Sequence, residues 1–244
     1  MARAGYPAIE LAVTASLDTH LARRLLEEHG LTASSLCGLS DPDRDYAHDS
    51  PRLRRNAGEY LRMALEQAHE LGAAAVIVVA TYRPEGDPAA RESELERAAH
   101  TIAGAAASAQ PGGPTIALEA LNRYETHLIR TLNDADGLRR RIALPNVELM
   151  ADVFHMDIEE DSLPEAISAH KDHIIHVHLA DNQRREPGSG HLDFDGVFAA
   201  LTDASYAGAL AMEFLPAIDA ALSTGREWVS GRLNALAQNV PNRS

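Results

Sequence analysis

Glu119, Asp152, His178 and Glu213 each stand inside or at the end of an otherwise apolar run, in "PTIALEAL", "VELMADVF", "IIHVHLAD" and "GALAMEFL". A lone ionisable group in such a run is costly unless an opposite charge or a hydrogen-bond partner meets it. Three carboxylates and one imidazole converging on an axis would meet that need by holding a divalent metal. Oxygen donors with a single imidazole suit Mn²⁺, Mg²⁺ or Co²⁺ better than a structural zinc, which would draw on cysteine or more histidine. Mn²⁺ is the expected ion. Taken singly, each residue is equally a strand-end side chain facing water, and the recurrence at four runs favours a shared site. The stretch "ALEALNRYETH" also puts Glu125 six residues after Glu119, with an asparagine, an arginine and an aromatic ring between them.

Residues of this kind need a scaffold that brings several strand ends together. Seven short apolar runs alternate with longer amphipathic stretches, at 8 to 15, 31 to 39, 73 to 81, 114 to 121, 147 to 154, 174 to 181 and 208 to 215. Such alternation is the signature of repeated βα units around a parallel sheet. The clearest helix begins at Ser50-Pro51, carries Leu53, Ala57, Tyr60, Leu61, Ala64, Leu65, Ala68 and Leu71 on one stripe, and stops at Gly72. No Gly/Ser-rich or Pro-rich linker divides the chain, so residues 1–244 read as one domain. A dinucleotide-binding sheet should show a Gly-rich turn after its first strand, but "AVTASLDTH" contains no glycine. Polar residues gather instead at the C-terminal ends of several strands, as in an α/β (β/α)8-type barrel whose loops build the active site. A full barrel has eight βα units. Seven strands are expected here, with the first βα unit lacking, a gap or forced closure beside "AIELAVTA", and a recorded start internal to a longer product. A barrel so truncated is expected to be weakly active or non-catalytic.

The motifs "LEALNRYET", "DVFHMDIEED", "HVHLADNQRREPGSGHLDF" and "AMEF" resemble, in the same order, the strand-end motifs of the ketose 3-epimerases. These are the D-tagatose and D-psicose (allulose) 3-epimerase group of the xylose isomerase-like TIM barrels. The likeness runs from about residue 31 to the C-terminus. It implies that Glu119, Asp152, His178 and Glu213 are metal ligands, that Glu119 and Glu213 are also the acid/base pair, and that Glu125, His155 and Arg184 hold sugar hydroxyls. It further implies a small-molecule sugar substrate and a homo-oligomer. The chemistry agrees. Epimerising a carbon next to a ketone means removing a weakly acidic C–H proton and returning one to the opposite face, so two bases from separate strands are needed. A metal at the carbonyl oxygen would stabilise the enediolate. One departure stands out, because Asp181 occupies a position where the close epimerases carry glutamate, a form nearer to the broader sugar isomerase/epimerase family.

Composition removes other classes. The formal net charge is -14, so no basic face is offered to a phosphate backbone and nucleic acid is not an expected partner. Cleavage at abasic DNA sites is disfavoured for the same reason. Cys37 is the only cysteine, which excludes an internal disulfide and a thiolate zinc site. No segment has the ~18 consecutive apolar residues of a membrane helix, and the start lacks a secretory pattern, so a cytoplasmic protein is expected. The closest rival activities are a hydroxypyruvate isomerase or inosose dehydratase on the same metal ligands. Among the remaining histidines, His176 shares a strand face with His178, whereas His20, His29, His69 and His100 are expected on solvated helical faces. The loop "REPGSGHLDF" has the turn residues of a lid.

Overall fold

The computed structural model describes residues 1–239. Seven strands, β1 (Ala8–Ala12), β2 (Thr32–Cys37), β3 (Ala75–Val79), β4 (Thr115–Glu119), β5 (Val147–Asp152), β6 (Ile174–Leu179) and β7 (Ala209–Met212), form one sheet in sequential order. All six pairings are parallel. Helices follow the strands: α1 (Thr19–Glu28), α2 (Pro51–Leu71), α3 (Arg91–Ala106), α4 (Leu132–Ile142), α5 (Val153–Glu159), α6 (Leu163–His170), α7 (Phe194–Asp203) and α8 (Asp219–Asn239). Every expected strand is present, though shorter than its apolar run, because the last residues of each run leave the sheet to enter the loop that follows.

Local sequence accounts for the element ends. Pro51 opens α2, where its missing N–H costs nothing, and Gly72 closes it at φ 70° with its N–H on Ala68 and His69 carbonyls. Thr131 and Asp134 cap α4 reciprocally through side chain and backbone. The predicted stripe of α2 buries Ala57, Leu61, Ala64, Leu65, Ala68 and Leu71. It joins the large core between sheet and helices, to which the outward residues Val76, Val78, Ile116, Leu118, Leu149, Val177 and Leu179 also belong.

Alternation along the strands sends the other set inward. Ala75, Ile77, Ala117 and Met150 form a small separate apolar cluster against Cys37, plugging the inside of the sheet. One step further along β4 and β5, Ala117 and Met150 give way to Glu119 and Asp152, which meet His178 of β6. The apolar plug therefore floors a polar site.

The barrel is nearly closed. Among the described residues β1 pairs only with β2, and β7 only with β6. Between these two edges lies a cavity of about 560 Å³ lined by Tyr6, Glu10, Ala12, Ala209, Ala211 and Glu213, among others. The gap expected beside "AIELAVTA" is thus where the sheet stays open.

Candidate active site

Glu119 and Asp152 end β4 and β5, His178 is the fifth residue of β6, and Glu213 follows β7 directly. One donor atom from each lies within 4.8 Å of the others. Asp152 and His178 are register partners on adjacent strands, and the Glu213 N–H still bonds the Leu179 carbonyl at 3.1 Å, which continues the β6–β7 ladder by one residue. Parallel pairing in register is what aligns the four side chains.

The donor set fits a hard divalent cation. His178 Nδ1 is buried and makes no hydrogen bond. It lies 2.6 Å from Glu213 Oε2 and 3.5 Å from Asp152 Oδ2, close to both carboxylates without the alignment of a hydrogen bond. Glu119 is equally buried, and its nearest cationic groups are His155 Nε2 and His178 Nδ1, each 3.9 Å away. An orphaned ring nitrogen facing three carboxylates is the arrangement a metal-binding site requires.

The electrostatics are those of a compact buried charge cluster. Burial pushes the Glu119 carboxyl well above its ordinary value; His178 and Arg184 pull it down, while Glu213 and Asp152 add to the rise. Burial also opposes charge on Asp152, but Arg184, His155 and His178 outweigh it and hold that carboxyl well below its usual range. For His178 burial disfavours the cation, yet Asp152 and Glu10 more than offset this and raise it well above the usual imidazole value. Two carboxylates side by side with opposite shifts are a familiar mark of acid/base sites.

Arg184 is placed inside the cluster. Its Nη1 lies 2.8 and 2.7 Å from the two Asp152 oxygens, its Nη2 bonds Glu213, and its guanidinium covers the Phe154 ring at 4.8 Å. Both Gln183 (φ 70°) and Arg184 (φ 57°) take left-handed backbone, a strained conformation that persists only when its surroundings impose it. The turn is closed by Asp181, whose backbone carbonyl accepts from the Arg184 N–H at 3.0 Å and whose N–H donates to the Arg185 carbonyl at 2.8 Å. The buried Asp181 carboxylate accepts from the N–H groups of Asn182, Gly188, Gly190 and Leu192 at 2.8 to 3.2 Å. A Cβ on Gly190 would meet Asp181 Oδ1 at 2.3 Å, so only glycine allows this approach. Asp181 therefore organises the loop that presents Arg184, and the segment read as a lid is a stitched turn.

His155 lies next to the cluster and Glu125 at its rim. The His155 Nδ1 accepts from the Asn122 backbone N–H at 3.2 Å, which leaves the proton on Nε2, aimed at Asp152 and Glu119 at 3.8 and 3.9 Å. Burial, aided by Arg184, lowers the His155 pKa despite the nearby carboxylates. Asn122 also donates to Glu125 Oε1 at 2.9 Å, and the Glu125 side chain is 46% exposed. Asn122 thus sets both residues, a role its place in the motif did not disclose. A second residue escaped the sequence reading: Glu10 of β1, whose carboxylate meets His176 and His178. The signal was available, since Glu10 is a lone carboxylate inside the apolar run "AIELAV". His20, His29, His69 and His100 are exposed, as expected.

A family model described as xylose isomerase-like TIM barrel matches residues 1–230. A 3-dehydro-D-guloside 4-epimerase of Escherichia coli (strain K12) is 34% identical over 196 residues, covering 77% of this chain and 74% of that protein. An L-ribulose 3-epimerase of Methylomonas sp. (strain DH-1) is 33% identical over 217 residues, covering 87% of this chain and 75% of that protein. Among solved structures, a D-allulose 3-epimerase from Methylomonas sp. in complex with D-allulose superposes with a TM-score of 0.86 at 27% identity, over 95% of this chain and 88% of that one.

Proposed function

The chain belongs to the xylose isomerase-like TIM barrel family and is an isomerase-class enzyme of sugar epimerase type, and from that premise we propose that it inverts C3 of a free ketose by proton transfer between two glutamates. The carrying observation is that Glu119 and Glu213 bring carboxylate oxygens from opposite parts of the sheet to one point. One takes the C–H proton next to the ketone and the other returns a proton to the opposite face, with the roles exchanged when the reaction runs backwards. Glu119, Asp152, His178 and Glu213 would hold a divalent cation, Mn²⁺ or alternatively Mg²⁺ or Co²⁺, whose contribution is Lewis-acid stabilisation of the oxyanion that develops at the former ketone. His155 presents its Nε2–H to a sugar oxygen, Glu125 accepts a hydroxyl proton at the rim, and Arg184 binds a hydroxyl from within the cluster.

The 3-dehydro-D-guloside 4-epimerase favours a second reading. Its name describes the same step moved along by one carbon, with the ketone at C3 and inversion at C4, and a two-glutamate site serves either. Turnover on a panel of free ketoses and 3-keto glycosides, with added Mn²⁺ and deuterium wash-in from D₂O, separates them. Deuterium at C3 of a ketose with inversion supports the first reading. Label confined to C4 of a 3-keto glycoside supports the second. Isomerisation of hydroxypyruvate or dehydration of an inosose without either would overturn both.

A further inference from the structure

Outside the four clustered residues, one partly buried carboxylate reaches into the site from the open edge of the sheet. Glu10 Oε1 lies 3.0 Å from His178 Nε2, and Glu10 Oε2 lies 3.1 Å from the same nitrogen and 3.1 Å from His176 Nε2. Ser35 Oγ donates to Glu10 Oε2 at 2.6 Å. The strands concerned, β1 and β6, are not neighbours in the sheet, so the contact crosses the barrel interior.

We propose that Glu10 is the positioning residue for His178: by accepting the Nε2–H it fixes the ring so that Nδ1, the nitrogen left for a metal, faces Glu119, Asp152 and Glu213. An imidazole that ligates through one nitrogen needs its proton on the other, and a carboxylate there sets both tautomer and ring plane. The two nitrogens of His178 divide accordingly, with Nε2 bonded to Glu10 and Nδ1 buried without a hydrogen bond. Ser35 and His176 hold Glu10 in turn. Without them a glutamate on an edge strand would be free to turn into the adjoining cavity.

Glu10, His176 and His178 also lie close enough together to be considered as a second metal site. The contacts argue against it. Each histidine nitrogen sits about one hydrogen-bond length from the carboxylate, the Ser35 hydroxyl completes its donors, and a protonated Nε2 has no lone pair to offer.

The inference rests on the metal reading of the four-residue cluster and is independent of which sugar is turned over. Its test is Mn²⁺ binding, followed by the electron paramagnetic resonance signal of the free ion, in the wild type, Glu10→Ala and Glu10→Gln, with thermal melting of each. Glu10→Ala is expected to weaken Mn²⁺ about 10–100-fold, and Glu10→Gln, which keeps an oxygen for the Nε2–H, to recover most of that loss. The KM for sugar should move far less than the metal affinity. A folded Glu10→Ala protein that binds Mn²⁺ as tightly as the wild type would overturn the proposal. Wild-type protein that takes up no Mn²⁺ would remove the metal reading and this inference with it. Should Glu10→Ala fail to fold, the ¹⁵N shifts of the His178 ring in Mg²⁺-loaded wild type decide: a protonated Nε2 with an unprotonated Nδ1 supports the assignment, and the reverse overturns it.

Discussion

Glu119 and Glu213 present carboxylate oxygens within 4.8 Å of each other although two strands, β5 and β6, separate β4 from β7. Curvature of the sheet brings them together, and a sugar seated over the cluster would meet one from each side. Glu119→Gln and Glu213→Gln are each expected to lower kcat by at least ~10²–10⁴-fold, since an amide cannot carry the proton. Both variants keep the side-chain shape, so melting temperatures should stay near wild type. Near-normal turnover in either would sink the two-base mechanism.

Arg184 pairs with Asp152 and Glu213, two of the three clustered carboxylates. Its positive charge competes with any cation held there, and on the proposed reading its guanidinium also binds a sugar hydroxyl. Arg184→Ala should therefore raise KM for the sugar more than it lowers kcat, because a hydroxyl clamp contributes binding shared by ground and transition states. The same variant should bind Mn²⁺ at least as tightly as wild type. Weaker Mn²⁺ binding on calorimetric titration would show that Arg184 supports the ligands and does not compete with them.

The repeat of apolar run and helix, the seven parallel strands and the open edge were all legible in the sequence, because burial on both faces of a parallel strand leaves an almost continuous apolar stretch. Glu119 and Glu10 carry the same signal, a carboxylate inside such a stretch, and only the first lies in a recognisable motif. Asp181 could not be read in this way. Its partners are four backbone N–H groups spread over residues 182 to 192, and no residue type encodes a main-chain direction. The placement of Arg184 among the carboxylates follows from that loop.

Asp181 supplies a third prediction. An amide at this position has one oxygen where the carboxylate has two, so Asp181→Asn leaves backbone N–H groups facing its NH₂. Each buried donor left without an acceptor costs about 1–3 kcal/mol. The expected outcome is a lower melting temperature, faster proteolytic cleavage within residues 182–192, and a raised KM as Arg184 loses its imposed backbone. Unchanged cleavage of that segment would show that the stitch does not hold the loop.

Glu94 on α3 gives a pH dependence located away from the site. Arg83 Nη2 and His127 Nε2 donate to it at 2.7 and 2.8 Å, and the Arg83 guanidinium also reaches Asp45. Burial by itself would raise the Glu94 carboxyl, but the hydrogen bonds and charges of Arg83 and His127 prevail and hold it below its ordinary value of 4.5. A carboxyl depressed in the folded state contributes stability that is fully present above its unfolded value and is lost as pH falls through the folded one. Glu94→Gln should therefore melt below wild type at pH 7, and the difference should shrink as the pH drops below about 4.5, where the wild-type group takes up its proton. Asp136, depressed by Arg139 and Arg140 on α4, keeps its own acid dependence in both proteins, so the difference between the two melting curves isolates Glu94. A gap that stays constant from pH 7 to about pH 3 would show that the Glu94 charge does not stabilise the fold.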